Sequence, residues 1–330
     1  MSSNVSIIGA GAWGTAFAIH LARMGIETKL WVRESDVCNN IRENRRNNTF
    51  LPDIEIPDIV YPTTDLNEAL CEAKIVFWAV PTQFLRDVVE NANCHSNAIH
   101  IAMSKGIERD KWEFPYQILG SNLGTDELVV LSGPSFAEEV AKGLPTVIVS
   151  ASENIKLARS VQKLVSNKNL RAYVNTDPLG VSLSGAYKNI IAIASGISEG
   201  LGLGHNTRSA LITRGLSELT RLGKKLGADR NTFFGVAGVG DMVLTCTSNL
   251  SRNYSFGIRV GTGENPQDIL SEMKQVAEGV FTTFGAIYFA DKFDVDIPIA
   301  KSVHRIIWEN SSPQNEVIRL MERPLKNEWA

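Results

Sequence analysis

The chain has 330 residues, and at ~100–200 residues per domain two domains are expected. Its 44% hydrophobic and 21% charged residues are those of a folded globular protein, which excludes a disordered chain. The 33 Lys+Arg against 36 Asp+Glu leave a net charge of -3, which speaks against a bare nucleic-acid backbone as partner.

Met1, Ser2, Ser3 and Asn4 lead straight into an apolar run, without the basic segment and cleavage site of a secretory leader. No apolar run approaches the ~20 residues of a membrane span. The four cysteines, Cys38, Cys71, Cys94 and Cys246, lack CxxC spacing and read as packing or incidental residues of a reducing compartment. A cytoplasmic protein is expected.

In chain order, the first half alternates short apolar runs with helical stretches. Strands are predicted at Val5–Ile8, Thr28–Val32, Ile75–Val80, Ile99–Met103, Leu128–Leu131, Thr146–Val149 and Arg171–Val174. Most are apolar on successive residues, as strands covered on both faces are. Helical material lies between them, as at Trp13–Met24 and Phe84–Asn91. That alternation predicts a Rossmann-like, doubly wound, mostly parallel sheet of the α/β class. The polar run Arg42–Asn48 reads as a solvated helix end and loop. After Pro178 the strand signals stop. Helices are predicted at Leu179–Ser195, Thr207–Leu226, Pro266–Val276 and Thr282–Phe293, with Gly-rich connections at Gly196–Gly204 and Gly235–Gly240. The expected division is a dinucleotide-binding domain, 1–179, and an all-α substrate domain, 180–330.

Gly9-Ala10-Gly11-Ala12-Trp13-Gly14 is a GxGxxG directly after a predicted strand and at the opening of a helix, the context a dinucleotide fingerprint requires. Gly9 allows the tight turn, Gly11 the approach of a pyrophosphate, and Gly14 close helix–strand packing. The helix N-terminus offers free N–H groups to the phosphates. The second strand ends Leu30-Trp31-Val32-Arg33-Glu34. An acid there binds the ribose 2′-hydroxyl of NAD, and an arginine accepts the 2′-phosphate of NADP. Arg33 at the strand end makes NADPH usable; the plain alternative is a solvated arginine.

Further polar residues sit beyond strand ends, where ligands bind in open α/β sheets. Lys105, in Ser104-Lys105-Gly106, reaches toward cofactor or anionic substrate, or is an exposed loop lysine. Ser132-Gly133-Pro134-Ser135-Phe136-Ala137 reads as a turn with backbone and Ser135 donors, or as a helix cap at Ser135. Lys188 lies in Leu183-Ser184-Gly185-Ala186-Tyr187-Lys188-Asn189-Ile190-Ile191, apolar on nearly every side, so its helix should be buried. A buried ammonium needs a partner and has a depressed pKa, which suits proton transfer near neutrality. Asp241 pairs with such an ammonium or caps the next helix. Ser251-Arg252-Asn253 forms an anion site if Ser251 begins a helix. The five histidines, His20, His95, His100, His205 and His304, have no zinc spacing, so no metal site is expected, and the GxSxG and Walker A motifs of other chemistries are missing. His205 reads as a solvated loop residue.

With these motifs in this order, the chain resembles the bacterial-type NAD(P)-dependent glycerol-3-phosphate dehydrogenases over essentially its whole length. Beside the segments above, Ala210-Leu211-Ile212-Thr213-Arg214-Gly215, Gly238-Val239-Gly240-Asp241 and Thr245-Cys246-Thr247 carry the resemblance. It implies Lys188 as catalytic acid/base. It implies substrate contacts at Lys105, Gly133, Ser135, Lys188, Asp241, Ser251, Arg252 and Asn253, and cofactor contacts at Ala12, Trp13, Arg33, Lys105, Ala137, Arg252, Val276 and Glu278. Ala12 has no hydroxyl, so its contact would be through the backbone. The implied reaction is reversible reduction of dihydroxyacetone phosphate to sn-glycerol 3-phosphate with NADPH or NADH, which supplies the phospholipid backbone. A homodimer is the expected assembly. Two other functions fit parts of the pattern: a dehydrogenase for another small hydroxy acid, and a non-enzymatic NAD(P) sensor.

Overall fold

The computed structural model describes residues 4–93, 97–273, 276–325 and 327–328; Met1, Ser2, Ser3, Cys94 and His95 lie outside the described residues. Its strands are β1 (Val5–Ile8), β2 (Thr28–Trp31), β3 (Arg46–Asn47), β4 (Leu51–Glu55), β5 (Val60–Thr63), β6 (Ile75–Trp78), β7 (Ile99–Ala102), β8 (Leu128–Ser132), β9 (Thr146–Ala151) and β10 (Leu170–Asn175). Eight of them form one sheet in the order β10-β9-β8-β7-β6-β1-β2-β5. Every pairing in it is parallel except β8 with β9. Ile7, Ile8, Leu30, Phe77 and Ile101 have no exposed surface, as the continuous apolar runs require.

β1 has β2 on one side and β6 on the other, with Ile8 opposite both Trp31 and Trp78. The winding reverses there, so the crevice beyond Ile8 is the topological switch point where such sheets hold ligands.

β3 and β4 form a separate antiparallel ribbon. Part of the run expected to be solvated is therefore buried. The Asn47 amide donates to the Ala10 carbonyl at 2.8 Å and to Thr15 Oγ1 at 2.9 Å, with no exposed surface of its own. Those partners lie more than 30 residues away in sequence.

From Pro178 onward the described residues are helical or irregular. The central helix, Pro178–Gly200, opens with proline at its first turn, and the Asp177 side chain accepts from the Gly180 N–H. Nearly all of it is buried, and Leu183, Tyr187, Ile190 and Ile191 pack against Leu219, Phe233, Met242, Phe256 and Val280. Among the described residues, eight further α-helices surround or follow it: Gly204–Leu226, Arg230–Phe233, Asp241–Cys246, Arg252–Gly261, Pro266–Glu272, Glu278–Lys292, Pro298–Trp308 and Pro313–Met321.

The stretch Gly196–Gly204 is no simple connection: the central helix continues to Gly200, because Gly196 and Gly200 lie against the backbone of Arg252–Gly261. His205 is exposed but stands in the first turn of Gly204–Leu226 rather than in a loop. The helix at Pro266 ends at Glu272, short of Val276. Gly235–Gly240 forms a π-helical turn, Val236–Gly240, in which a Cβ on Gly238 would sit 2.1 Å from the Phe233 carbonyl oxygen. Cys38 and Cys246 are buried and Cys71 is exposed. Among the described residues, no helix is long and apolar enough to cross a membrane.

Candidate active site

Gly9, with φ of +110°, carries the chain from β1 across the end of β6; a Cβ there would meet the Ala79 carbonyl at 2.9 Å. A Cβ on Gly14 would fall 1.9 Å from the Gly9 carbonyl oxygen, so only glycine lets the Ala12–Ala22 helix start this close. Gly11 has no atom within 4 Å of its Cβ position, and no side chain caps the helix it opens. An open face above uncapped N–H groups is the cradle a pyrophosphate needs. Ala12 and Trp13 start that helix, and the buried Trp13 indole N–H has no partner. Ala137 begins the short helix Ala137–Lys142 and packs with Trp13 on one core. Arg33 lies two residues beyond β2, largely exposed, with its Nε and Nη2 both donating to Glu34 Oε1, at 2.9 and 2.6 Å.

Lys188 projects from the central helix with only 8% of its side chain exposed. Its Nζ donates to Asp241 Oδ1 at 2.6 Å and to Thr245 Oγ1 at 2.7 Å. Asp241, 1% exposed, opens the helix that follows the π-turn, and Thr245 lies one turn further along the same helix. The other carboxylate oxygen of Asp241 accepts from Lys105 Nζ at 2.8 Å, and Lys105 Nζ also donates to the Gly133 carbonyl at 2.8 Å. One buried carboxylate thus holds two ammonium groups.

Burial pushes the Lys188 ammonium down to about 8, with the Asp241 charge opposing the fall and Lys105 adding to it. Burial pushes Asp241 the other way, but Lys105 and Lys188 outweigh it and hold its carboxyl below the usual range. The arrangement fixes two of the three N–H bonds of Lys188 and leaves the third to meet an incoming oxygen.

Lys105 follows β7, and its stem runs over Gly185, whose Cβ position is 3.2 Å from Lys105 Cγ and 3.0 Å from Ser132 Oγ. A side chain at Gly185 would displace both. Asn189 Nδ2 donates to the Lys105 carbonyl at 3.0 Å, tying the lysine loop to the central helix. Ser135 Oγ donates to the Gly133 carbonyl at 2.8 Å and does not cap the next helix, whose first cap position is Phe136.

Ser251 is the N-cap of Arg252–Gly261, its Oγ accepting from the Tyr254 N–H at 3.2 Å. Arg252, at the first helical position, is exposed, beside the remaining free N–H groups. Asn253 Oδ1 accepts from the Gly279 N–H at 3.0 Å, which joins this corner to Glu278. Glu278 Oε1 accepts from the Thr82 N–H, at the start of the helix after β6, while its buried Oε2 has no partner. Burial raises this carboxyl to about 7. Val276 lies half-buried just before it.

The structure therefore links Lys105, Gly133, Ser135, Lys188 and Asp241 by direct hydrogen bonds. It places Ser251, Arg252 and Asn253 at one helix end, joined to Glu278. Arg33 stands apart at the dinucleotide corner. Asp241 pairs with the lysines and does not cap the helix it opens, whose cap position is Gly240. Sequence reading missed Thr245 as a partner of Lys188, although its i+4 spacing from Asp241 was a usable signal. It also missed Asn189, Thr82 and Asn47, whose partners are distant in sequence. Among the described residues no group of His, Cys, Asp and Glu could hold a metal ion.

Residues 4–158 match the family described as NAD-dependent glycerol-3-phosphate dehydrogenase N-terminus, and residues 177–318 match its C-terminus. A glycerol-3-phosphate dehydrogenase (NAD(P)+) of Citrifermentans bemidjiense is 45% identical over 333 residues, covering 99% of both chains. One from Salinibacter ruber is 43% identical over 331 residues, covering 99% of this chain and 97% of that one. The crystal structure of glycerol-3-phosphate dehydrogenase from Coxiella burnetii superposes with a TM-score of 0.91 at 37% identity, covering 97% of this chain and 98% of that one.

Proposed function

This chain belongs to the NAD-dependent glycerol-3-phosphate dehydrogenase family, whose members are NAD(P)-dependent oxidoreductases, and on that premise we propose how its residues divide the work. The observation that carries the proposal is the buried Lys188 amine, with Asp241 and Thr245 holding two of its N–H bonds.

The dinucleotide corner fits NADH or NADPH: Gly9, Gly11 and Gly14 clear the backbone, and Ala12 and Trp13 open the helix toward the phosphates. Arg33, Lys105, Ala137, Arg252, Val276 and Glu278 would complete that binding. When bound, the nicotinamide supplies or accepts the hydride. Lys188 gives its proton to the alkoxide that develops on the ketone oxygen of dihydroxyacetone phosphate. In the reverse direction neutral Lys188 takes the proton from the hydroxyl of sn-glycerol 3-phosphate. A pKa near 8 leaves both forms accessible close to neutrality. The cationic amine also stabilises the alkoxide before transfer. Asp241 keeps Lys188 charged enough to donate and fixes its direction. Lys105, Gly133 and Ser135 line the same crevice. Ser251, Arg252 and Asn253 hold the substrate phosphate through the helix N-terminus and the guanidinium.

Residues 1–179 act as the dinucleotide-binding domain and 180–330 as the substrate domain; β10 ends at Asn175 and the central helix starts at Pro178. The reading also includes a cytoplasmic homodimer without nucleic-acid partners, its assembly measurable by sedimentation. Oxidation of NADPH by the purified protein with dihydroxyacetone phosphate tests the function. Turnover should be saturable, and should collapse when phosphate-free dihydroxyacetone or a 2-keto acid replaces the substrate. Equal turnover of the 2-keto acid would instead support a hydroxy-acid dehydrogenase, and no turnover of any of them a sensor.

A further inference from the structure

The helix carrying Lys188 and the helix opened by Ser251 touch through glycines. A Cβ on Gly196 would fall 2.1 Å from the Tyr254 carbonyl oxygen and 2.9 Å from Gly257 Cα. One on Gly200 would fall 2.4 Å from the Ile258 oxygen and 2.8 Å from Gly261 Cα. The contact is reciprocal: Gly257 faces the Ile193 oxygen at 2.2 Å and Gly196 Cα at 2.9 Å, and Gly261 faces the Ile197 oxygen at 2.4 Å and Gly200 Cα at 3.0 Å. No side chain separates the two backbones along this seam, so the helices pack closer than the usual ~8–10 Å between axes.

Gly196 meets Gly257 and Gly200 meets Gly261, so the two helices run in the same direction. The four-residue spacing on both sides places the glycines in one row along each helix and fixes the register as well as the separation. A slide by one residue would drive a side chain of one helix into a carbonyl of the other.

The consequence reaches the site. Lys188 precedes Gly196 by eight residues and Ser251 precedes Gly257 by six. At ~1.5 Å per residue these are ~12 and ~9 Å back from the same contact, so Lys188 and Ser251 stand within ~3 Å of one height along the pair. A second contact agrees: a Cβ on Gly279 would lie 2.7 Å from the Asn189 carbonyl oxygen and 2.8 Å from Asn253 Oδ1, so the residues after Lys188 and after Arg252 share one neighbour. The free N–H end of the second helix therefore lies level with Lys188 along the pair.

We propose that Gly196, Gly200, Gly257 and Gly261 are positioning residues that set the distance from the acid–base nitrogen to the anion site, and so determine the substrate's length. A phosphate ester one methylene from the ketone carbon should then be accepted and a longer spacer rejected. This rests on the function proposed above, and turnover of dihydroxyacetone phosphate itself tests that function separately.

The test compares dihydroxyacetone phosphate with its four-carbon homologue, in which two methylenes separate phosphate and ketone, in wild type and in Gly257→Ala and Gly261→Ala. Wild type should prefer the shorter substrate by at least ~100-fold in kcat/KM. A folded alanine variant, checked by its melting transition, should raise KM for dihydroxyacetone phosphate ~10-fold or more and lower the preference by at least ~10-fold. The altered preference between the two substrates is the readout that general loosening of the fold would not give. A folded variant with wild-type preference overturns the proposal. If neither variant folds, the wild-type comparison decides: comparable kcat/KM for the two substrates overturns it.

Discussion

Replacing Asp241 by asparagine keeps the shape of the side chain and removes the one buried charge that faces both Lys188 and Lys105. The carboxylate accepts from the two ammonium groups at 2.6 and 2.8 Å and is 1% exposed. An opposite charge this close typically raises the pKa of an amine by ~1–3 units. Burial already holds Lys188 at about 8 with that help. In Asp241→Asn the Lys188 midpoint should therefore fall to ~5–7, a change of ~1.4–4 kcal/mol in the cost of keeping the proton. The sign follows from the chemistry. Reduction of the ketone needs protonated Lys188, so its rate is high below the midpoint and falls above it. Oxidation of the alcohol needs the neutral amine and rises through the same midpoint. The assay is kcat against pH in both directions, followed by nicotinamide absorbance. Wild type should show limbs crossing near about 8, and Asp241→Asn limbs displaced toward acid with little reductive turnover left at neutral pH. The variant should also be less stable, since buried Lys188 and part-buried Lys105 lose their counter-ion, so the profile is read below its melting transition. A folded variant with both limbs still near about 8 and wild-type kcat would refute the reasoning.

Three further outcomes follow from the same geometry. Arg252→Ala should raise KM for dihydroxyacetone phosphate ~10-fold or more with a smaller change in kcat; unchanged constants would remove Arg252 from the phosphate site. Arg33→Ala should weaken NADPH relative to NADH in side-by-side kcat/KM, and a constant ratio would leave Arg33 as a surface residue paired with Glu34. Gly14→Ala should abolish or severely weaken NADPH binding in titration calorimetry, because its Cβ would fall 1.9 Å from the Gly9 carbonyl oxygen and force the helix start outward; wild-type affinity would show that the helix start can give way without cost.

Seven of the eight strands of the sheet were legible, most of them because they are apolar runs covered on both faces; the edge strand Val60–Thr63, interrupted by Pro62 and with Tyr61 exposed, was missed. Val5–Ile8, with its glycine-rich sequel, could be read to the residue. Lys188 was legible for a related reason: a charge amid Tyr187, Ile190 and Ile191 has no benign place in a buried helix. What escaped depends on distant partners. Asn47 looks like one polar residue among several until the Ala10 carbonyl is brought to it. Gly196 and Gly200 read as breakers, and only the facing Gly257 and Gly261 explain why the helix runs through them. Short helices such as Ser35–Asn44 and Leu66–Leu70 are polar and held by context, so periodicity alone did not mark them. The cofactor role given to Glu278 came from resemblance alone. The bond to Thr82 and the unpartnered oxygen supply a physical reason for a carboxyl there.

The account stands most directly on Lys188→Met, which keeps the length and apolar stem of the side chain and deletes the amine. Single-turnover reduction of dihydroxyacetone phosphate should slow by ~10²–10⁴-fold, the usual worth of an acid–base group, while the dissociation constant for NADPH stays within about twofold. Turnover near the wild-type rate in that variant would contradict the assignment of the proton to Lys188.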